Sequence, residues 1–461
     1  MRYTSTRGGV HGISFVDAVL MGLASDGGLL VPEEIPDVRG QLNQWRGLSF
    51  VELAQQVIPL FVDDIERETL DRLIVEAYAT FDHPDVVAWH ALGDVSVLEL
   101  FHGPTLAFKD VALQLLGRLF EYILGIQHQH LNILGATSGD TGSAAIAGVR
   151  GQRNVDILIL YPDNKVSRLQ ELQMTTVPDA NVHCIAVDGS FDDCQSLMKQ
   201  TFSDLAFKEE FNLGAINSVN WARVLAQIVY YGYASLKFDE APAFCVPTGN
   251  FGNVFAAYMA CQMGFPVDSL LVATNENDIL ARFFATGEYS RGEVHFTLSP
   301  AMDIQVASNF ERFLYYYFEK DSDRLTAFMT EFARTGHASI GGPPTDGLFT
   351  AVAIDTAATL GAIKSVYDEY GYMLDPHTAV AYAASEQFKD QLAEPRVCIA
   401  TAHPAKFPEA VRDATKEAVA IHPSLEALVD LPERKTKISA DIESVKDSIR
   451  RVAGRKTDTS A

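Results

Sequence analysis

The stretch Leu131-Asn132-Ile133-Leu134-Gly135-Ala136-Thr137-Ser138-Gly139-Asp140-Thr141-Gly142 decides the fold class. A short apolar strand over 131–134 runs into a turn of glycines and hydroxyls, and a helix of small residues follows over 143–149. The same grammar recurs along the chain. Residues 157–161 form an apolar run that ends in Pro162-Asp163-Asn164-Lys165, and 182–187 form another. Phe244-Cys245-Val246 leads into Pro247-Thr248-Gly249-Asn250-Phe251-Gly252-Asn253, with a helix predicted from Val254. Residues 270–275 and 397–400 are two more apolar runs, the latter ending in Thr401-Ala402-His403-Pro404. Continuous apolar strands that alternate with helices predict parallel sheets covered on both faces. Ligands then bind at the carboxyl ends of the strands, where these polar turns fall.

Two of the turns suit anions. Gly139 and Gly142 allow backbone conformations in which amides converge, and Thr137, Ser138 and Thr141 add hydroxyl donors ahead of a helix N-terminus. Gly249, Asn250, Phe251, Gly252 and Asn253 follow the same logic and suit a phosphate. Neither turn matches GxxxxGK[ST] or GxGxxG, so nucleoside triphosphates and dinucleotides are disfavoured.

A third feature is His102-Gly103-Pro104-Thr105-Leu106-Ala107-Phe108-Lys109-Asp110, delivered by the strand-like residues 95–101. Ala112, Leu115, Leu116, Leu119 and Ile123 recur at helical spacing behind it, so Lys109 falls in a first helical turn. The helix dipole and partial burial both disfavour an ammonium there. An uncharged amine is the form that builds a Schiff base on a carbonyl or on pyridoxal phosphate.

Composition narrows the classes. The 461 residues suffice for two or three domains. A net charge of −24, from 36 basic and 60 acidic residues, argues against a nucleic-acid or anionic-membrane partner. The five cysteines (184, 194, 245, 261, 398) form no CxxC pair, so neither structural zinc nor a disulfide framework is expected, and no metal is assigned. The N-terminus has no signal-peptide pattern and no apolar span is long enough to cross a bilayer, so a soluble cytoplasmic protein is expected. Residues 1–95 read as a mainly helical N-terminal domain. Residues 433–461 read as a charged tail, a solvated helix that frays. Oligomeric state is not legible.

HGPTLAFKD (102–110), ATSGDTG (136–142), PTGNFGN (247–253), DPHTAVA (375–381) and TAHPAKF (401–407) together resemble threonine synthase, and YTSTRG (3–8) is similar to the start of its longer form. The resemblance runs over nearly the whole chain and weakens after about residue 420. It implies an α/β architecture of two open, mostly parallel twisted-sheet lobes of pyridoxal-phosphate fold type II, with the cofactor between them and a mainly helical N-terminal domain. The catalytic body would be 96–461, with a smaller lobe at about 130–215.

The resemblance also implies roles. Lys109 would carry pyridoxal 5'-phosphate as a Schiff base and shuttle protons. Gly249 to Asn253 would cradle the cofactor phosphate, Thr401 would meet the ring nitrogen, and Phe108 would pack near the ring. Thr137, Ser138, Gly139, Asp140 and Thr141 would bind the substrate carboxylate. The implied reaction turns O-phospho-L-homoserine and water into L-threonine and phosphate. Candidates for the substrate phosphate are Lys165, Ser167, Arg168, Asn217, Ser218, Asn220 and Arg223, with Lys406 weaker. The alternatives are a related phospho-lyase or deaminase releasing a 2-oxo acid, or a non-catalytic ligand-binding relic.

Overall fold

Four of the apolar runs are adjacent in one sheet. Ser269–Thr274, Ala243–Pro247, Arg396–Ala400 and Val95–Glu99 lie side by side and parallel. Phe349–Ala353 adds a parallel edge to Ser269–Thr274, and Ala88–Leu92 closes the other edge antiparallel to Val95–Glu99. The two inner strands are buried at every residue, whereas the edges are half-buried. That is why only the inner runs read as continuously apolar. One register row runs Val97, Cys398, Cys245, Leu271, and all four are fully buried in the core. The helix Pro376–Gln387 covers that face with Val380, Ala381 and Ala384.

The structure, a computed structural model, describes residues 1–454 apart from 138, 346, 417 and 419. Contacts divide the chain into two units. The first holds the six-stranded sheet and is built from Met1–Ala112 and Ser218–Ile421. The second holds Leu113–Asn217 and the chain from His422. Its sheet is all parallel, in the order Thr436–Ser439, Val182–Asp188, Val155–Pro162, Leu131–Ala136, Leu213–Gly214. The helix Lys109–Gln127 starts in the first unit, and the division falls after Ala112.

The N-terminal residues are mainly helical. Phe15–Met21, Phe50–Val57 and Arg67–Tyr78 are helices, and Tyr3–Ser5 pairs antiparallel with Leu30–Pro32. Ser49 and Glu52 form a capping box that starts the second of these helices. The segment is tied in by a fully buried guanidinium. Arg312 donates to the carbonyls of Leu30 and Val219 and to Asn309 Oδ1, which offsets a burial that pushes its pKa down to about 9. Arg7, which from sequence alone reads as a surface residue, is half-buried and bidentate on Glu311.

The charged C-terminal stretch corrects the expectation of a solvated helix. Thr436–Ser439 extends the second sheet, and the helix Ile442–Gly454 buries Val445 and Ile449 completely. Ile442, Val445, Ile449 and Val452 share one face, Lys446 borders it over the Phe207 ring and pairs with Asp204, and the other charged residues lie away from it. Among the described residues no helix is long and apolar enough to cross a membrane.

Candidate active site

The lysine segment is clasped to the end of an inner strand. Phe108 N donates to the Thr401 carbonyl at 2.8 Å and His403 N to the Leu106 carbonyl at 3.0 Å, around an antiparallel bridge between Ala107 and Ala402. Leu106 takes a left-handed φ of 60° to turn the chain into this clasp. The clasp puts Lys109, first residue of its helix, beside buried Thr401. Lys109 is half-buried, with Nζ 5.4 Å from the centroid of the Phe108 ring. Asp110 behind it is fully buried and accepts from Thr105 N and Oγ1, both at 2.8 Å. Burial pushes its pKa up to about 6, against the downward pull of Thr105 and Lys406. Lys406 is itself buried and donates to the Thr105 carbonyl at 2.5 Å, so it braces the lysine turn rather than offering a surface charge to a phosphate.

The glycine turn at 249–253 leaves the carboxyl end of Ala243–Pro247, next to the strand that delivers Thr401. Gly249 is required by a close approach: a Cβ there would sit 2.7 Å from the Ala301 carbonyl oxygen. Phe251 holds a left-handed φ of 62°, a strain its side chain secures by stacking among Phe284, Phe310, Phe313 and Phe349. The aromatic ring therefore belongs to the core, and any contact Phe251 offers at the turn comes from its backbone. Asn250 Oδ1 accepts from Ser308 Oγ at 3.1 Å, and Ser308 Oγ also meets Ser218 Oγ at 2.8 Å. Asn253 Oδ1 accepts from Tyr230 and Tyr231 at 2.5 and 2.7 Å, while its Nδ2 is buried with no protein partner. The helix Gly252–Met263 opens here, and its first-turn amides have no intrahelical acceptor.

In the second unit the Thr137 hydroxyl is spent on its own turn: it accepts from Gly139 N and Gly142 N, each at 3.0 Å. Asp140 is buried and accepts from Gln170 Nε2 at 3.1 Å. Thr141 is half-buried in the first turn of the helix Asp140–Val149, and Ser138 lies outside the described residues.

The phosphate candidates separate sharply. Arg168 is exposed and ion-paired with Glu433 at 2.5 Å and Glu171 at 3.4 Å; Ser167 caps its helix; Lys165 is exposed. Asn220 is a buried cap of the helix Trp221–Ser235 that also donates to the Val19 carbonyl, so both ends of its amide are used structurally. Asn217 is half-buried. Arg223 differs from all of these. It is 4% exposed, its Nε and Nη1 have no protein partner, and burial pushes its pKa down to about 10. An unpaired buried guanidinium is costly unless an anion arrives. Ser308, Tyr230, Tyr231 and Asp110 were not singled out from sequence. Only Asp110 carried a local signal, as the residue after the lysine.

A half-buried lysine whose segment is clasped to the strand end carrying Thr401, beside the strand end that carries a glycine turn with an orphaned amide donor, is a set of groups that fits pyridoxal phosphate. Comparison with known proteins bears on the same point. The family described as pyridoxal-phosphate dependent enzyme matches residues 91–343, threonine synthase N terminus matches 2–78, and threonine synthase, C-terminal matches 378–449. The threonine synthase of Schizosaccharomyces pombe is 45% identical over 455 residues, covering 89% of this chain and 88% of its own. That of Pseudomonas aeruginosa is 45% identical over 447 residues, 95% of each chain. The crystal structure of PLP-bound threonine synthase from Brucella melitensis superposes with a TM-score of 0.94 at 41% identity, over 98% of this chain and 99% of that one. Both unit folds, the clasped lysine and three successive family matches agree, and the chain belongs to the threonine synthases among the pyridoxal-phosphate-dependent enzymes.

Proposed function

We propose that the chain converts O-phospho-L-homoserine and water to L-threonine and phosphate, by loss of phosphate from Cγ and addition of water at Cβ. The observation that supports this is the clasp of 106–108 on 401–403, which ties the backbone of the lysine segment to the strand end that carries Thr401.

Each residue has a task in this reading. Pyridoxal phosphate, when bound, supplies the electron sink for charge left after proton removal. Lys109 Nζ is the amine that tethers the cofactor's carbonyl carbon. Freed for the chemical steps, it would take the proton from Cα and one from Cβ; a proton delivered to Cγ would complete the methyl group as phosphate leaves, water would give Cβ its hydroxyl, and the amine would return one proton to Cα. Thr401 Oγ1 meets the ring nitrogen; a hydroxyl, unlike a carboxylate, does not force a proton onto it. The backbone of 249–253 holds the cofactor phosphate, and Phe108 flanks the ring. Residues 137–141 hold the substrate carboxylate chiefly through backbone amides, since the Thr137 hydroxyl braces the turn. Arg223, with Ser218 and Asn217, holds the departing phosphate; Arg168 is neutralised where it stands. Residues 1–95 serve as the N-terminal domain of a catalytic body that runs from 96 onward.

Borohydride reduction of protein loaded with pyridoxal phosphate should fix the cofactor on the Lys109 peptide, and Lys109→Ala should fold normally with no turnover. Label on another lysine, or wild-type turnover in Lys109→Ala, would overturn the assignment.

A further inference from the structure

Asp375-Pro376-His377-Thr378 enters the resemblance but none of the roles assigned so far. Asp375 is 1% exposed and caps the helix Pro376–Gln387 by accepting from His377 N at 2.9 Å and Thr378 N at 3.2 Å. An N-cap needs no more than that. Its carboxylate also takes two side chains, His377 Nδ1 at 2.8 Å and the Thr378 hydroxyl. Each of those goes on to a different wall of the site.

Thr378 has one hydroxyl proton and gives it to Asp375, so a lone pair faces outward and accepts from Thr401 N at 3.3 Å. His377 Nε2 accepts from Ala301 N at 3.3 Å. An amide always donates, so Nε2 carries no proton there and Nδ1 carries it toward Asp375. Ala301 in turn presents the carbonyl that a Cβ on Gly249 would strike at 2.7 Å. His377 and Thr378 are 3% and 1% exposed, and Phe407 packs edge-on against the imidazole at 4.9 Å, so neither arm has room to turn away. Thr401 and Gly249 are the ring-nitrogen end and the phosphate end of the cofactor site. One buried carboxylate thus sets the direction of a hydrogen bond at each end.

We infer that Asp375 is a positioning residue that fixes the distance between the two ends of the pyridoxal-phosphate site, acting through Thr378 on Thr401 and through His377 on Ala301. This rests on the reading of Thr401 and 249–253 as the two ends of that site.

The two arms can be cut separately. Apo protein is titrated with pyridoxal phosphate, giving a Kd and the absorption band of the bound cofactor, and kcat is then measured at saturating cofactor. Thr378→Val cuts the ring arm: the band should shift and kcat fall about tenfold, with Kd changed less than about threefold. His377→Leu cuts the phosphate arm: Kd should rise about tenfold with the band in place. Thr378→Ser and His377→Gln restore an acceptor in each place and should recover most of each loss. Asp375→Asn should combine both defects; if it does not fold, the single-arm variants decide alone. Thr378→Val and His377→Leu proteins that merely melt earlier, with Kd and band at wild-type values, would reduce Asp375 to a helix cap and overturn the inference. Wild-type protein that takes up no pyridoxal phosphate would instead overturn the underlying reading, and this inference with it.

Discussion

Asp110 shows how one buried group near the lysine shapes the whole site. The carboxyl has no exposed surface, and burial raises its pKa to about 6 from an ordinary value of 3.8. The sign of the effect follows. The folded state binds this proton more tightly than the unfolded chain, so the group's contribution to stability is complete below about pH 4 and lost as pH rises through about 6. The unfolding free-energy difference between wild type and Asp110→Asn, read by urea unfolding at each pH, should therefore move against wild type by about 2 kcal/mol from pH 4 to pH 7. A flat difference would mean that Lys406 holds the carboxylate ionised throughout. Arg223 gives the opposite kind of test. Arg223→Met should unfold no earlier than wild type, because an unpaired buried cation is removed. Arg223→Gln should lose at least about a hundredfold in kcat/KM, roughly 3 kcal/mol, with uptake of pyridoxal phosphate intact. Arg168→Gln should stay within about threefold, as its charge is already answered by Glu433 and Glu171.

At the level of elements, the second unit depends on two features that leave opposite traces in the sequence. The helices Lys109–Gln127 and Asp140–Val149 touch backbone to backbone, and a Cβ on Gly117 would stand 1.8 Å from the Gly148 carbonyl oxygen. Gly117→Ala should force the helices apart and cost about 3 kcal/mol in urea unfolding. Ile449→Ala, in the C-terminal helix, should cost about 3 kcal/mol by cavity formation; no loss would mean that the helix does not pack on the core as described. The inner strands were legible because burial on both faces demands unbroken apolar runs. The edges Ala88–Leu92 and Phe349–Ala353 were not, because half-exposed strands carry no such run. The C-terminal helix had a readable stripe at 442, 445, 449 and 452, but the density of charge on its other face hid it.

For the whole molecule, motif residues told which chemistry to expect, and the fold told which of them are buried, paired or exposed. Lys109 and 249–253 stand out in sequence for the turns that hold them, whereas Thr401 stands out only through the resemblance carried by TAHPAKF. Tyr230 and Tyr231, the partners of Asn253, and Ser308, the partner of Asn250, lie tens of residues away and look like ordinary core or loop positions. Sequence spacing also could not separate Arg168 from Arg223, since burial and counter-ions exist only once the chain is folded. The central claim is that this scaffold places water at Cβ after phosphate leaves. Its most direct test is the carbon product when protein loaded with pyridoxal phosphate meets O-phospho-L-homoserine. L-Threonine released in equal amount with phosphate is the predicted result. Phosphate released with 2-oxobutyrate in place of threonine would contradict it, and would mean that the site eliminates phosphate without directing water to Cβ.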